Sequence, residues 1–215
     1  MTKVKICGIT DVFYARAAIE AGADLIGVVF APSPRQVTYE RAQEIVTAVK
    51  TQKNSVPVVG VFVNTPAVTV NAAASFCGLD WVQLSGDETW EYCQQIEKPV
   101  IKAIHVSRNL AEGELLAHLE NGQRILGSRS PVYLLDTFVE HRYGGTGQAF
   151  AWGIAKRAAA KFPLIIAGGL HPGNVGQVIA SLKPWGVDVS SGVETSRVKA
   201  VDKINAFVKA VRSTQ

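Results

Sequence analysis

Eight short runs rich in Val, Ile and Leu recur along the chain: VKIC, DLIGVVF, VPVVGVFV, DWVQL, PVIKAIHV, VYLLD, PLIIAGG and GVDVSSG. They are nearly continuous in hydrophobicity and do not alternate with polar residues, which is how strands buried on both faces of a parallel sheet read. A helix-like segment follows each one. In 11–21, Phe13 or Tyr14 falls on one stripe with Ala17, Ala18 and Ala21, and Gly22 supplies a C-terminal stop. The others are 39–50, 67–76, 89–96, 110–120, 150–161, 174–182 and 200–211. A βα unit taken eight times predicts an α/β fold, a single (β/α)8 TIM barrel in a short-loop form, since 215 residues is near the lower end for that architecture. A doubly wound open sheet also alternates βα, but it usually needs fewer units, and no G-x-G-x-x-G follows the first strand. No Pro/Gly/Ser-rich or charge-rich linker divides the chain, so one barrel domain over residues 1–215 is expected.

Hydrophobic residues make up 47% and charged residues 19%, ordinary for a protein with a sizeable core. The formal charge is +4, but Lys and Arg are spread along the chain, which favours a small anionic ligand over nucleic acid. Three cysteines without disulfide-like or C-x-x-C spacing fit a reducing compartment. Every apolar run is interrupted well short of membrane-spanning length, and MTKVKICG carries no long apolar leader. A cytoplasmic protein with no membrane partner is the expectation, as a monomer or a homodimer. His105, His118, His141 and His171 share no ligand-like spacing, so no metal is expected. Trp81, Trp90, Trp152 and Trp185 are dispersed and suit packing between helices and barrel.

In such a barrel the site lies where the strands end. Strand one ends at Cys7, strand two runs into FAPSPRQV with Arg35, strand six ends at Asp136, strand seven at Gly168-Gly169 and strand eight at SSGVE. One group of these residues suits an anion. Gly145 and Gly147 in YGGTG, then Gly168 and Gly169, then Ser190, Ser191 and Gly192 let backbone N–H groups approach a ligand closely, and phosphate sites in barrels are often built after strands seven and eight. Each pair alone could be a turn; together at one rim they point to phosphate. The second group is chemical. Asp136 ends an apolar strand, which suits a general acid as well as a turn cap. Cys7 could be nucleophile or base, activated by the helix N-terminus near Asp11, or a small buried hydrophobe like Cys77 and Cys93. Arg35 could offer its fork to a carboxylate or phosphate, or be solvated.

The stretches KICGIT, GVVFAPSPRQV, VGVFVN, VQLSGDE, LLDT, GGTGQAFAW, IIAGGLHPGNV and GVDVSSGVE, in this order and covering essentially the whole chain, resemble the phosphoribosylanthranilate isomerase family. The resemblance implies a cofactor-free Amadori rearrangement in tryptophan biosynthesis. A small phosphorylated ribose, N-(5'-phosphoribosyl)anthranilate, would become 1-(2-carboxyphenylamino)-1-deoxyribulose 5-phosphate. It implies Cys7 as general base, Asp136 as general acid, Arg35 on the anthranilate carboxylate and the glycine and serine clusters on the phosphate. Two positions depart from the family pattern, Ser85 where histidine is frequent and Gln148 where lysine is. The nearest rivals are other barrels. An indole-3-glycerol-phosphate synthase would want a lysine on the inner rim, for which Lys102 is the candidate, and an isomerase of histidine biosynthesis would want an aspartate where Cys7 stands. A non-catalytic phosphate binder would keep Cys7 and Asp136 as structural residues only.

Overall fold

The computed structural model describes residues 1–106, 110–136 and 148–214, with the backbone alone for 148–153. Eight parallel strands close into a barrel: β1 (Lys3–Ile6), β2 (Leu25–Val29), β3 (Val58–Phe62), β4 (Trp81–Leu84), β5 (Val100–His105), β6 (Val132–Asp136), β7 (Leu164–Ala167) and β8 (Gly186–Val189). Closure comes from β1 pairing with β8, where Lys5 lies level with Asp188. The helices α1 (Val12–Ala21), α2 (Tyr39–Lys50), α3 (Ala67–Cys77), α4 (Trp90–Cys93), α5 (Glu112–Leu126), α6 (Gln148–Lys161), α7 (Val175–Leu182) and α8 (Val201–Arg212) follow in strict alternation. Every run anticipated as a strand is one, and the (β/α)8 barrel is the fold. Among the described residues no helix is long and apolar enough to cross a membrane.

Alternation along each strand divides the core. One set of side chains, including Leu25, Val59, Ile101, Leu134 and Ile165, fills the barrel, and the other packs outward against the helices. Local chemistry fixes the helix ends. Asp11 caps α1 by accepting from Phe13 N–H at 2.7 Å, Thr38 caps α2 and Thr89 caps α4. Gly22, at φ 95°, closes α1 in the left-handed conformation that glycine favours.

Two helices depart from the expected lengths. The segment 89–96 yields only the single turn of α4: beyond it Gln95 N–H and Ile96 N–H bond three residues back, to Tyr92 O and Cys93 O, and Glu97 N–H donates to Asn71 Oδ1 instead of to the helix. Arg129 donates to Gln94 O and Ile96 O, and Asn71 Nδ2 donates to Gln95 O at 2.8 Å. Conversely, α5 runs through Asn121-Gly122 to Leu126. Gly122 is no stop there: an added Cβ would lie 2.9 Å from the Trp90 ring, so the glycine serves a close approach. A small hairpin, β9 (Glu194–Thr195) with β10 (Val198–Lys199), was not foreseen. Its turn holds Ser196 and Arg197 at φ 51° and 66°, a conformation that residue type does not announce.

Candidate active site

The C-terminal mouth of the barrel gathers the ends of β1, β2, β6, β7 and β8. Cys7 stands one residue beyond β1, its N–H donating to Val189 O at 2.8 Å, with the residue only 7% exposed. The chain must then turn at once. Gly8 does so at φ 73°, and a Cβ there would run into the Arg35 side chain and lie 2.9 Å from Ser190 Oγ. Arg35 therefore lies across the start of this turn.

Beneath the thiol are two charged residues that the sequence reading passed over. Lys5 is fully buried and Asp188 nearly so, and Lys5 Nζ donates to Asp188 Oδ1 at 2.9 Å. Strand phase assigns both to the interior, since Lys5 is level with Leu25 of the barrel filling and with Asp188 across the closing seam. That phase was the available signal: Lys5 is two residues from Cys7, on the same side of the strand. Burial pushes the Cys7 thiol up; Lys5 opposes this and Asp188 adds to it, and the net is above the usual thiol range. The cation with the largest effect on the thiol is thus Lys5, with Lys199 adding to it, whereas the N-terminus of α1, expected to serve, is capped by its own Asp11.

Arg35 is not solvated. Its Nε and Nη2 each donate at 2.6 Å to one oxygen of Glu194, the bidentate arrangement of a planar fork on a carboxylate. Lys199, on β10, donates to the same Glu194 at 2.6 Å and to Ser190 O at 2.9 Å. Burial would raise the Glu194 carboxyl, but Arg35 and then Lys199 outweigh it and hold it below the usual carboxylate range. Burial also pulls Lys199 down, with Glu194 opposing.

Asp136 is the last residue of β6, half-buried, level with Ala167 of β7 and His105 of β5. Gly168 and Gly169 follow β7 at φ 89° and 65°, and a Cβ at Gly169 would meet nothing within 4 Å. Asn174 pins that loop, accepting from His171 N–H at 2.8 Å and donating to Gly169 O at 3.0 Å. After β8, Ser191–Val193 form one 3₁₀ turn, and Gly192 packs so tightly that a Cβ would run into Leu170 O. The β7 and β8 loops are therefore in direct contact. Gly145 and Gly147 lie outside the described residues, as does the side chain of Gln148.

Other side chains resolve earlier alternatives. Lys102 is out of phase with interior Ile101 and Ala103; it is buried on the helix side, bonded to Gly86 O at 2.7 Å and Glu88 at 3.0 Å. It offers no inner-rim amine. Cys77 and Cys93 are buried core thiols, pushed up to about 11 chiefly by burial. Ser85 accepts from Gln83 Nε2 at 2.9 Å, and buried Gln83, level with interior Ile101, keeps an Oε1 without a partner. Among the described residues no cluster of His, Cys, Asp or Glu could hold a metal ion.

Fold and mouth together define a (β/α)8 barrel with a thiol, a carboxyl and an arginine fork at the end where such barrels do their chemistry. The profile described as N-(5'phosphoribosyl)anthranilate (PRA) isomerase matches residues 4–210. An N-(5'-phosphoribosyl)anthranilate isomerase of Dehalococcoides mccartyi is 47% identical over 212 residues, 99% of this chain and 96% of the relative. The phosphoribosyl anthranilate isomerase of Thermotoga maritima superposes with a TM-score of 0.84 at 38% identity, covering 99% of this chain and 100% of its own. A phosphoribosyl anthranilate isomerase solved with reduced 1-(o-carboxyphenylamino)-1-deoxyribulose 5-phosphate gives a TM-score of 0.82 at 36% identity, with 99% and 100% covered. The chain belongs to the N-(5'-phosphoribosyl)anthranilate isomerase family.

Proposed function

We propose that this chain, an isomerase of tryptophan biosynthesis, converts N-(5'-phosphoribosyl)anthranilate to 1-(2-carboxyphenylamino)-1-deoxyribulose 5-phosphate with Asp136 as acid and Cys7 as base. The observation that carries this reading is the placing of Cys7 just beyond β1 and Asp136 at the end of β6, both at the C-terminal mouth. Asp136 in its acid form protonates the ribose ring oxygen, and the C1–O bond breaks as the anilino nitrogen lone pair forms a Schiff base. Cys7 as thiolate then takes the proton from ribose C2, and the electron pair released flows to the nitrogen as an enolamine. Tautomerisation of the enolamine gives the ketone. No redox partner is needed, because the oxidation of C2 is balanced by the reduction of C1.

The two ends of the substrate are anchored separately. Arg35 takes the anthranilate carboxylate through Nη1, while Glu194 holds its Nε and Nη2 and so fixes the plane of the guanidinium. The phosphate lies against backbone N–H groups of Gly145 and Gly147, Gly168 and Gly169, and Ser190, Ser191 and Gly192. The contact of Gly192 with Leu170 supports this, because it ties the β7 and β8 loops into one surface. Anchoring both ends fixes C1 and C2 between acid and base, the contribution that orientation makes to rate. Residues 1–215 act as one barrel domain, cytoplasmic, as a monomer or a homodimer.

The test generates the substrate in place from anthranilate and phosphoribosyl pyrophosphate with a separate transferase and follows the decay of its fluorescence. Wild-type protein is expected to accelerate that decay, and Asp136→Asn to lower turnover at least about a hundredfold with little change in phosphate affinity. A variant that turns over like wild type removes Asp136 from its role. No decay with folded wild-type protein overturns the activity itself.

A further inference from the structure

We propose that Lys5 is a positioning residue for the reaction: its ammonium draws Cys7 into the thiolate form, with Asp188 anchoring that ammonium across the closing seam of the barrel. The inference deepens the reading of Cys7 as base and rests on it.

The geometry comes first. Lys5 belongs to the barrel filling, is wholly buried, and reaches Asp188 at 2.9 Å. Gly27, on the adjacent β2, reports how close thiol and ammonium come. A Cβ built there would lie 2.9 Å from Cys7 Sγ and 3.2 Å from Lys5 Nζ, so the two flank one place that only a glycine leaves open. As a stabilising device the pair is poor. Removing an ammonium and a carboxylate from water is expensive, and apolar residues of like volume generally fill such a position as well or better.

The charge balance around the thiol gives the pair a use. Three cations face it: Lys5 on β1, Arg35 after β2 and Lys199 on β10. Two carboxylates are bound to these cations, Asp188 on β8 and Glu194 on β9. One positive charge is left over. A thiolate at Cys7 neutralises it, whereas a thiol leaves a net charge in a poorly hydrated site. Asp136, on β6 at the same mouth, carries its proton as the acid before the reaction and adds no charge there until it gives that proton to the ring oxygen. The titration tendencies agree with this picture. Burial pulls Lys5 down, but Asp188 and then Cys7 push it up, and the net is upward, so the ammonium persists. For Cys7, burial is the largest influence and Lys5 the largest opposing one.

The experiment uses the full chain with Cys77→Ala and Cys93→Ala, so that Cys7 is the sole thiol. Its ionisation is followed by ultraviolet thiolate absorbance, with a Cys7→Ser counterpart subtracted to remove tyrosine ionisation. Lys5→Met is expected to raise the thiol midpoint by at least about one pH unit, a tenfold fall in thiolate fraction, and to lower turnover about tenfold with KM little changed. Alkaline pH restores part of that turnover. Asp188→Asn removes the competing carboxylate and lowers the midpoint, while Lys5→Arg keeps it near wild type. A purely structural pair gives no such opposed shifts. If Lys5→Met does not fold, Lys5→Gln keeps a hydrogen-bond donor for Asp188 while removing the cation, and is expected to fold with the midpoint raised. An unmoved midpoint in either folded variant overturns the inference, whatever Cys7→Ser does to turnover. A midpoint that moves as stated while Cys7→Ser retains turnover keeps Lys5 as the thiolate's partner but removes Cys7 as base.

Discussion

The two ends of the barrel use charge in opposite ways. At the N-terminal end, Asp24 accepts from Val4 N–H at 2.8 Å and pairs with Arg212 at 2.7 Å and Lys3 at 3.2 Å, while Arg212 also donates to Thr2 O and Gly22 O. Arg212 is bonded mostly to backbone, all three groups are part-exposed, and together they tie the last helix to the first strand and the α1–β2 turn. At the C-terminal end, Lys5 is bonded to Asp188, and Arg35 and Lys199 to Glu194, around Cys7 and largely out of water, with one cation in excess. The first arrangement also has one cation in excess, Lys3 and Arg212 against Asp24, but water reaches it and hydrates that charge. The second is completed by ionising a thiol or by receiving an anion. A charge cluster open to water can stabilise a fold whatever its balance, whereas one left unbalanced in a low-dielectric site is prepared for a ligand or a reaction.

Variants can set one end against the other. The largest effects belong to the mouth: Asp136→Asn lowers turnover at least about a hundredfold while the thermal midpoint stays close to wild type. Next come the glycines that set its shape. Gly192→Ala pushes a methyl into Leu170 O and parts the β7 and β8 loops, so KM for the phosphorylated substrate should rise about tenfold or more in steady-state kinetics. At the other end, Arg212→Met loses its bonds to Asp24, Thr2 and Gly22 and should cost about 1–2 kcal/mol in denaturant unfolding, with turnover unchanged. An Arg212→Met protein that lost activity but not stability would break the comparison.

Acid and base dependence separates the ends further. Burial would raise the Asp24 carboxyl, but the Arg212 hydrogen bond and then Val4 N–H outweigh it, so its folded value lies below the unfolded one. Its stabilising contribution is therefore complete above the ordinary carboxylate range and is lost as pH falls through the folded value. Asp24→Asn should flatten that acid limb of stability by a small amount, given how exposed the group is. The mouth responds at the other end of the scale. With the Cys7 thiol above its usual range and acting as thiolate, turnover should climb as pH rises through the thiol's ionisation, and a flat alkaline profile would contradict the base assignment.

Much of this was legible in the sequence because it depends on period and composition. The continuous apolar runs named every strand of the barrel, and the residues ending them named Cys7 and Asp136. What was hidden depends on partners distant in sequence. Nothing local shows that Arg35 meets Glu194, 159 residues away, or that Asn71 takes the Glu97 N–H that a longer α4 would use. Lys102 looked like the rim lysine because it sits in an apolar run, yet strand phase turns it outward and turns Lys5 in. Counting by twos from Cys7 would have found Lys5; its pairing with Asp188 needed the closed barrel. The grouping of Gly168, Gly169, Ser190, Ser191 and Gly192 into contacting loops likewise required β7 and β8 to be neighbours.

The central claim is that the mouth does chemistry through Cys7, and the direct measurement is the turnover of Cys7→Ser on freshly generated phosphoribosylanthranilate, with its thermal midpoint taken on the same preparation. The account predicts a fall of at least about a hundredfold with the midpoint little changed. Turnover equal to wild type in a folded Cys7→Ser protein would contradict it.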